Sequence, residues 1–240
     1  MSVVLEKEFK DSNSVARILK CAERLFATKG YAAASIRDIT NQAGVNLAAI
    51  HYHFGSKEKL LEELFNRKLD WLNQQRLKAL LSLEKKANGA PLRPSAILDA
   101  FFGTLLNMID DKRNGGEMFL KLLGRSSLEP SKLIWSISTK EHSEVISKFK
   151  SALFKSLPNV PENEIVWRFH FMLGAATFAI SGNGLPTLFA NTNIERENLV
   201  ISRKLLTKRL MAFLLGGLRA PLSKDLSKHE FYALERQNEN

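Results

Sequence analysis

The stretch Ser35-Ile36-Arg37-Asp38-Ile39-Thr40-Asn41-Gln42-Ala43-Gly44-Val45-Asn46-Leu47-Ala48-Ala49-Ile50-His51-Tyr52-His53-Phe54-Gly55-Ser56-Lys57-Glu58-Lys59-Leu60-Leu61 decides the fold. Ser35 with Asp38 three residues on has the layout of a capping box, with Asp in place of the usual Glu or Gln, so a helix starts here. It is short, because Ala43-Gly44-Val45 ends it. Asn46 is a natural cap for a second short helix, Leu47 to His53. Phe54-Gly55-Ser56-Lys57-Glu58 breaks that helix and caps another that begins with Ser56. Two short helices separated by three residues around a glycine, behind a longer helix, have the layout of a helix-turn-helix. Three packed helices of any small bundle fit the same spacing, so spacing alone leaves DNA binding and plain packing both open.

Upstream, residues 14–29 read as that longer helix. Val15, Ile18, Leu19, Ala22, Leu25 and Phe26 share one face, while Arg17, Lys20, Glu23 and Arg24 lie off it. Ser14 or Ser12 is the expected cap and Gly30 the stop. Downstream the chain is helix after helix: 57–87, ending at Asn88-Gly89, then 94–110, opened by Pro94. A short one follows Gly115-Gly116; another runs from Pro130 to about Leu157, and Pro161 opens one to Ser181. A loop over 182–193 leads to a last long helix, about Glu195 to Leu215, which Gly216-Gly217 should stop. No period-two pattern competes, so the fold class is all-α. The expected division is 1–60, 61–218 and a polar tail over 219–240.

The chain has 240 residues and 27.1 kDa, enough for one large domain or a small one joined to a larger. Fifteen Phe and three Trp supply ample core, and only 7 Pro and 13 Gly argue against a turn-rich β fold. One cysteine, Cys21, excludes a disulfide framework and any cysteine-rich metal site; on its helix it reads as a small buried hydrophobe. Residues Met1 to Glu8 put charges where a signal peptide needs apolar ones, and the uncharged run Phe169 to Ile194 is broken by Gly182, Asn183, Gly184 and Pro186. No membrane span and a cytoplasmic setting are therefore expected. The net charge of +10 suggests a polyanionic partner, nucleic acid first. Charge does not locate the site, since residues 1–60 carry nine Lys/Arg against six Asp/Glu and the rest 26 against 19.

No Gly-x-Ser-x-Gly, phosphate loop or His-Glu-x-x-His motif is present, so an enzyme is not expected, nor a cofactor. His51 and His53 stand two apart on a helix and face different ways, which argues against a metal pair. The chemistry of Leu47 to His53 suits a major groove instead. Asn46 can donate or accept at a base edge, and Leu47, Ala48 and Ala49 can meet thymine methyls while letting the backbone approach. His51, Tyr52 and His53 place hydrogen-bonding tips at the far end for phosphates. Lys57 adds its ammonium to a helix N-terminus, and both favour a phosphate. Each has a blander reading: Phe54 and His53 as packing beneath the helix, Ser35 as a cap before it is a DNA ligand.

Residues 35–61, with the helix before them, resemble the DNA-binding signature of the TetR family of bacterial regulators. His51 departs from the pattern, where the family usually has Tyr. The resemblance implies that Arg37 reaches a base or backbone, while Ser35 could serve both as a cap and as a DNA ligand. It further implies a palindromic operator bound by a homodimer, released by an effector in the C-terminal domain, and repression more often than activation. Met118 to Arg125 and Trp167 to Gly174 look like the fatty-acid-responsive PsrA branch, which points to a small apolar effector, a fatty acid or acyl thioester. Two other readings stand beside this: a ligand-independent DNA-binding protein of the same fold, and a helical small-molecule-processing enzyme.

The pocket is likewise implied by the resemblance. Phe101, Phe102, Leu105, Met108, Phe119, Leu122, Trp135 and Phe149 are the candidates to line it, with ordinary core as the alternative for each. Arg125 or His142 is the candidate anchor for a carboxylate or carbonyl, although Arg125 could equally pair with Glu129. Residues 164–181 are apolar nearly all round, with Trp167, Phe171, Ala175 and Phe178 on one side and Phe169, Leu173, Ala176 and Ile180 on another. One face on the domain core and one on a second subunit is the economical account. The family's dimer is a four-helix bundle of the last two long helices, which adds His170, Gly174, Leu206, Leu210 and Phe213 to the candidate interface.

Overall fold

A computed structural model describes residues 2–108, 111, 115–126, 143–181 and 203–222, and all regular structure among them is helical. Helix α1 spans Ser2–Lys29, α2 Ile36–Ala43, α3 Leu47–His53 and α4 Lys57–Ala87. Helix α5 is Pro94–Leu98, followed by a π turn at Asp99–Gly103 and α6 at Thr104–Asn107. Then come α7 (Gly116–Ser126), α8 (Ser143–Ser156), α9 (Glu162–Ser181) and α10 (Arg203–Leu218). Among the described residues no helix is long and apolar enough to cross a membrane.

The three caps around the turn form as their side chains require. The Ser35 hydroxyl accepts from the Asp38 N–H at 3.0 Å, Asn46 Oδ1 from the Ala48 N–H at 3.1 Å and Ser56 from the Lys59 N–H at 3.1 Å. Gly44 ends α2 in the left-handed region at φ 61°, where its N–H bonds back to Asn41 and Thr40. Ile18, Ala22 and Phe26 of α1, Ile39 of α2 and Ile50 of α3 are wholly buried together with Leu60 of α4. Phe54 is buried too, so its packing role holds. Cys21 is only half-buried, against the same core.

Elsewhere the structure departs from expectation. Helix α1 starts at Ser2, so Ser12 and Ser14 lie inside it and not at its N-terminus. Residues 2–29 contain no proline or glycine, and an interior serine costs only about half a kcal/mol against alanine. Residues 94–108 are not one α-helix, because the π turn interrupts them where Asp99 folds over Gly103; a Cβ on Gly103 would sit 2.5 Å from Asp99 Oδ1. Gly216-Gly217 do not stop α10, which runs to Leu218. Leu214 and Leu218 are wholly buried, and Arg168 Nη1 donates to the Leu218 carbonyl at 2.7 Å. That burial and bond offset the roughly 1 kcal/mol that each interior glycine costs.

Helix α4 joins the two halves, and the expected boundary at residue 60 falls within its first turn. It carries the core onward through Phe65, whose ring meets Phe119 of α7 edge-on at 5.9 Å. Beyond it Phe101, Phe102, Phe149 and Phe169 interlock, with Phe101 about 5 Å from each of the others. The helix expected from Pro130, with Trp135 and His142, lies in its first part outside the described residues, as do Glu129, the 182–193 loop, the start of the last helix and the tail from 223.

Candidate nucleic-acid interface

Helix α3 is held from behind and bare in front. Ile50 is fully buried, whereas Asn46, Leu47, Ala48, His51 and Tyr52 are exposed. Ala49 and His53 are half-buried between the two faces. Tyr52 is the most exposed large apolar side chain described, at 79%, and its ring meets His53 edge-on at 4.9 Å. His53 in turn meets Phe54 at 6.2 Å, so it supports Tyr52 from the core side.

His51 is committed on one side. Its Nδ1 lies 3.1 Å from the Gly55 carbonyl. A carbonyl only accepts, so that nitrogen carries the proton and donates. The outer nitrogen, Nε2, is then an acceptor in the neutral ring. It faces away from that bond and is the atom through which His51 can meet the duplex.

At the start of α4, Lys57 Nζ lies 4.4 Å from the centre of the Tyr31 ring and donates to the Ala32 carbonyl at 3.4 Å. Partial burial there lowers its pKa. The ammonium thus ties α4 to the loop between α1 and α2 while staying at the helix N-terminus. Sequence reasoning missed Tyr31 as its seat, although an aromatic directly after the helix-stopping Gly30 was a signal. Ser35 sits at the start of α2 as a cap, and Arg37, in the first turn, is exposed. The Asp38 carboxyl is held below the ordinary carboxylate value, by the Ser35 hydroxyl first and then by Lys29. Arg24 donates to Gln42, which braces α2 against α1.

The other candidates fall into two groups. Phe101, Phe102, Leu105, Met108, Phe119, Leu122 and Phe149 are all buried in the C-terminal core; Trp135 and His142 lie outside the described residues. Arg125 points away from that core, donating to the Thr28 and Lys29 carbonyls at 3.2 and 3.3 Å, at the C-terminal end of α1. This bond between α7 and α1 was hidden by the intervening chain length, and Glu129, its expected partner, lies outside the described residues. On α9, Trp167, His170, Phe171, Gly174 and Phe178 are exposed, with Trp167 stacked on Phe171 at 5.8 Å; Phe213 of α10 is exposed too. Leu206 is half-buried. Leu210 is a correction, because it is buried in the chain's own core.

Two buried arginines were not foreseen. Arg168 bonds Glu164 at 2.8 Å as well as Leu218. Arg76 of α4 donates to the Phe101 carbonyl. Neither announces itself in sequence, since a lone arginine on a helix reads as surface. Nor was the ion pair of Glu23 and Lys68, 3.0 Å apart between α1 and α4; burial raises the Glu23 pKa and Lys68 opposes that rise.

Comparison with known proteins places these features. Residues 18–64 match the model of the "Bacterial regulatory proteins, tetR family", and residues 99–217 match a "Tetracyclin repressor-like, C-terminal domain". The transcriptional repressor KstR2 of Mycobacterium tuberculosis is 40% identical over 55 residues, which span 23% of this chain and 28% of KstR2. The transcriptional regulator YerO of Bacillus subtilis is 24% identical over 219 residues, 90% of this chain and 69% of YerO. Among solved structures, the fatty acid degradation regulator FadR from Bacillus halodurans superposes with a TM-score of 0.54 at 18% identity, over 85% of this chain and 99% of FadR. With a helix-turn-helix at one end and a repressor-like helical domain at the other, both matched to the same family, the chain belongs to the TetR family of transcriptional regulators.

Proposed function

We propose that the chain acts as a homodimeric transcriptional repressor that inserts α3 into the major groove of a palindromic operator. The observation that carries this reading is the front of α3, where Asn46, Leu47 and Ala48 are exposed over a buried Ile50. Small side chains there let the helix backbone come close to base edges. His51 meets the duplex through Nε2, while Tyr52, Arg37 and Lys57 are placed for phosphates. Exposed Trp167, Phe171, Phe178 and Phe213 support the dimer, as an apolar surface seeking cover. Release by an effector in the C-terminal domain completes the reading, and the apolar character of its core supports an amphiphile with a hydrocarbon body. Effector and operator would then weaken each other's binding by the same factor.

Selection of bound sequences from random duplex DNA tests the reading. It should return a palindrome with half-sites one turn of B-DNA apart, about 34–36 Å, or a multiple of that. An unrepeated half-site bound by monomers would overturn it. Titrating the selected duplex with candidate effectors then separates a ligand-responsive repressor from a ligand-independent one.

A further inference from the structure

Arg76 is only 6% exposed, yet among the described residues no carboxylate pairs with it. Among the described residues, the groups that bond or stack on its guanidinium are neutral. Nε donates to the Phe101 carbonyl at 3.1 Å, within the π turn, and Nη1 donates to Asn73 Oδ1 at 3.2 Å. Cζ lies 3.6 Å from the centre of the Phe101 ring. Arg168, the other buried arginine, has Glu164 beside it. Burial without such a partner pushes the Arg76 pKa down to about 9.

A guanidinium has five N–H donors in a fixed fork. Two are used by Phe101 and Asn73, and among the described residues Nη2 has no hydrogen-bond partner. Nη2 is not among the fully buried unpartnered atoms, so this edge of the fork is open to an incoming anion, which would pair a charge that has no carboxylate beside it. Its surroundings are aromatic, since Phe101 also touches Phe102, Phe149 and Phe169 at 5.0, 5.0 and 4.9 Å. One cation on a ring that itself meets three others matches a molecule with one negative charge and an apolar body. A carboxylate fits the Nη1–Nη2 edge of the fork in its own plane. A phosphate dianion would need a second cation.

We propose that Arg76 anchors the carboxylate of an amphiphilic effector whose hydrocarbon or aromatic body wedges into the Phe101–Phe149–Phe169 cluster. This rests on the effector-responsive reading above and names the chemistry of the effector's head. The buried arginine is then a receptor held by neutral dipoles until the acid arrives. Phe101 links the two halves of the ligand site, because its carbonyl and ring hold the arginine while its ring edges hold the body.

The test is calorimetric titration of the full chain, without DNA, with decanoate and 4-pentylbenzoate against decanol and methyl decanoate. The acids should bind the native chain at least about tenfold more tightly than the neutral compounds, as expected when a charge-assisted fork is gained. Arg76→Met should lose that preference and keep its affinity for decanol. If Arg76→Met does not fold, Arg76→Lys serves, with decanoate weakened about tenfold or more and decanol unchanged, because the ammonium lacks the fork. Equal binding of acid and alcohol by the native chain, no binding of any probe, or an acid preference that survives in the variants would overturn the proposal. Operator release, followed separately, distinguishes the two readings. Release by decanol and not decanoate leaves the repressor standing without this anchor. Acid binding through Arg76 in a chain that holds no duplex leaves the anchor standing without the repressor.

Discussion

At the scale of single residues the site is built on short polar side chains that close backbone bonds, and each closure predicts a measurable cost. Ser35→Ala removes the α2 cap and should lower stability at pH 7 by about 1 kcal/mol in denaturant titration. It should also change the response to acid. Asp38, whose ordinary value is 3.8, is depressed in the fold, chiefly by Ser35. Its contribution is therefore complete above that value and lost as pH falls through the folded one. The Ser35→Ala chain should lose less stability than the native chain between neutral pH and about pH 2, and a parallel loss would refute the coupling. Lys57→Ala tests a different role. Binding to all duplexes should weaken alike, with a salt slope shallower by about 1, the mark of one lost phosphate contact. A changed sequence preference at constant slope would instead mean that Lys57 works by seating α4 on Tyr31. These caps were legible because their chemistry is local, within three residues of sequence. Arg76, Arg125 and Arg168 were not, since each finds its carbonyl 25, 97 and 50 residues away.

Elements show the same division between near and far causes. Helices α2, α3 and α4 end where Gly44, Phe54 and Asn88 stand, and their sequence-derived limits agree with the structure because stop signals there act alone. At Gly216-Gly217 the local signal says stop, while buried Leu218 and its bond to Arg168 say continue, and the tertiary contacts win. The π turn was hidden for a related reason, as apolar periodicity at 97, 98, 101, 102, 105 and 106 is nearly the same for an α-helix with or without one added residue. A substitution checks the reading of α10. Neither glycine takes a positive φ, and a Cβ on either would meet nothing within 4 Å. Gly216→Ala and Gly217→Ala should each stabilise the chain by roughly 0.4–1 kcal/mol, measured as a raised denaturation midpoint at unchanged slope. Destabilisation by either would mean that α10 stops before Leu218.

Over the whole molecule two surfaces matter, the exposed apolar face of α9 and α10 that the proposed dimer would cover, and the contact between the two domains. Leu210 shows why the first was only half legible: it shares an apolar helix with Phe213, and periodicity alone does not say which of the two turns inward. Phe171→Asp should leave helix content intact and yield a monomer in sedimentation, with operator affinity falling steeply, because a single recognition helix loses its partner half-site. A dimer that survives the change would put the interface elsewhere. The second surface is where Arg125 of α7 donates to the last carbonyls of α1, which lead directly into the Gly30–Ser35 loop and α2. A cation on a helix C-terminus is favourable by up to about 2 kcal/mol, and this one also ties the C-terminal domain to the helix-turn-helix domain. In the proposed effector response, a shift of α7 would pull on α1 through this bond and so on the spacing of α3. Arg125→Ala should leave effector affinity and operator affinity, each measured alone, within about threefold of native, yet reduce the factor by which one weakens the other. That factor is read by titrating effector at fixed operator and then the reverse, and linkage requires both routes to agree. An unchanged factor in the variant would show that α4 and the Glu23–Lys68 pair carry the signal without Arg125.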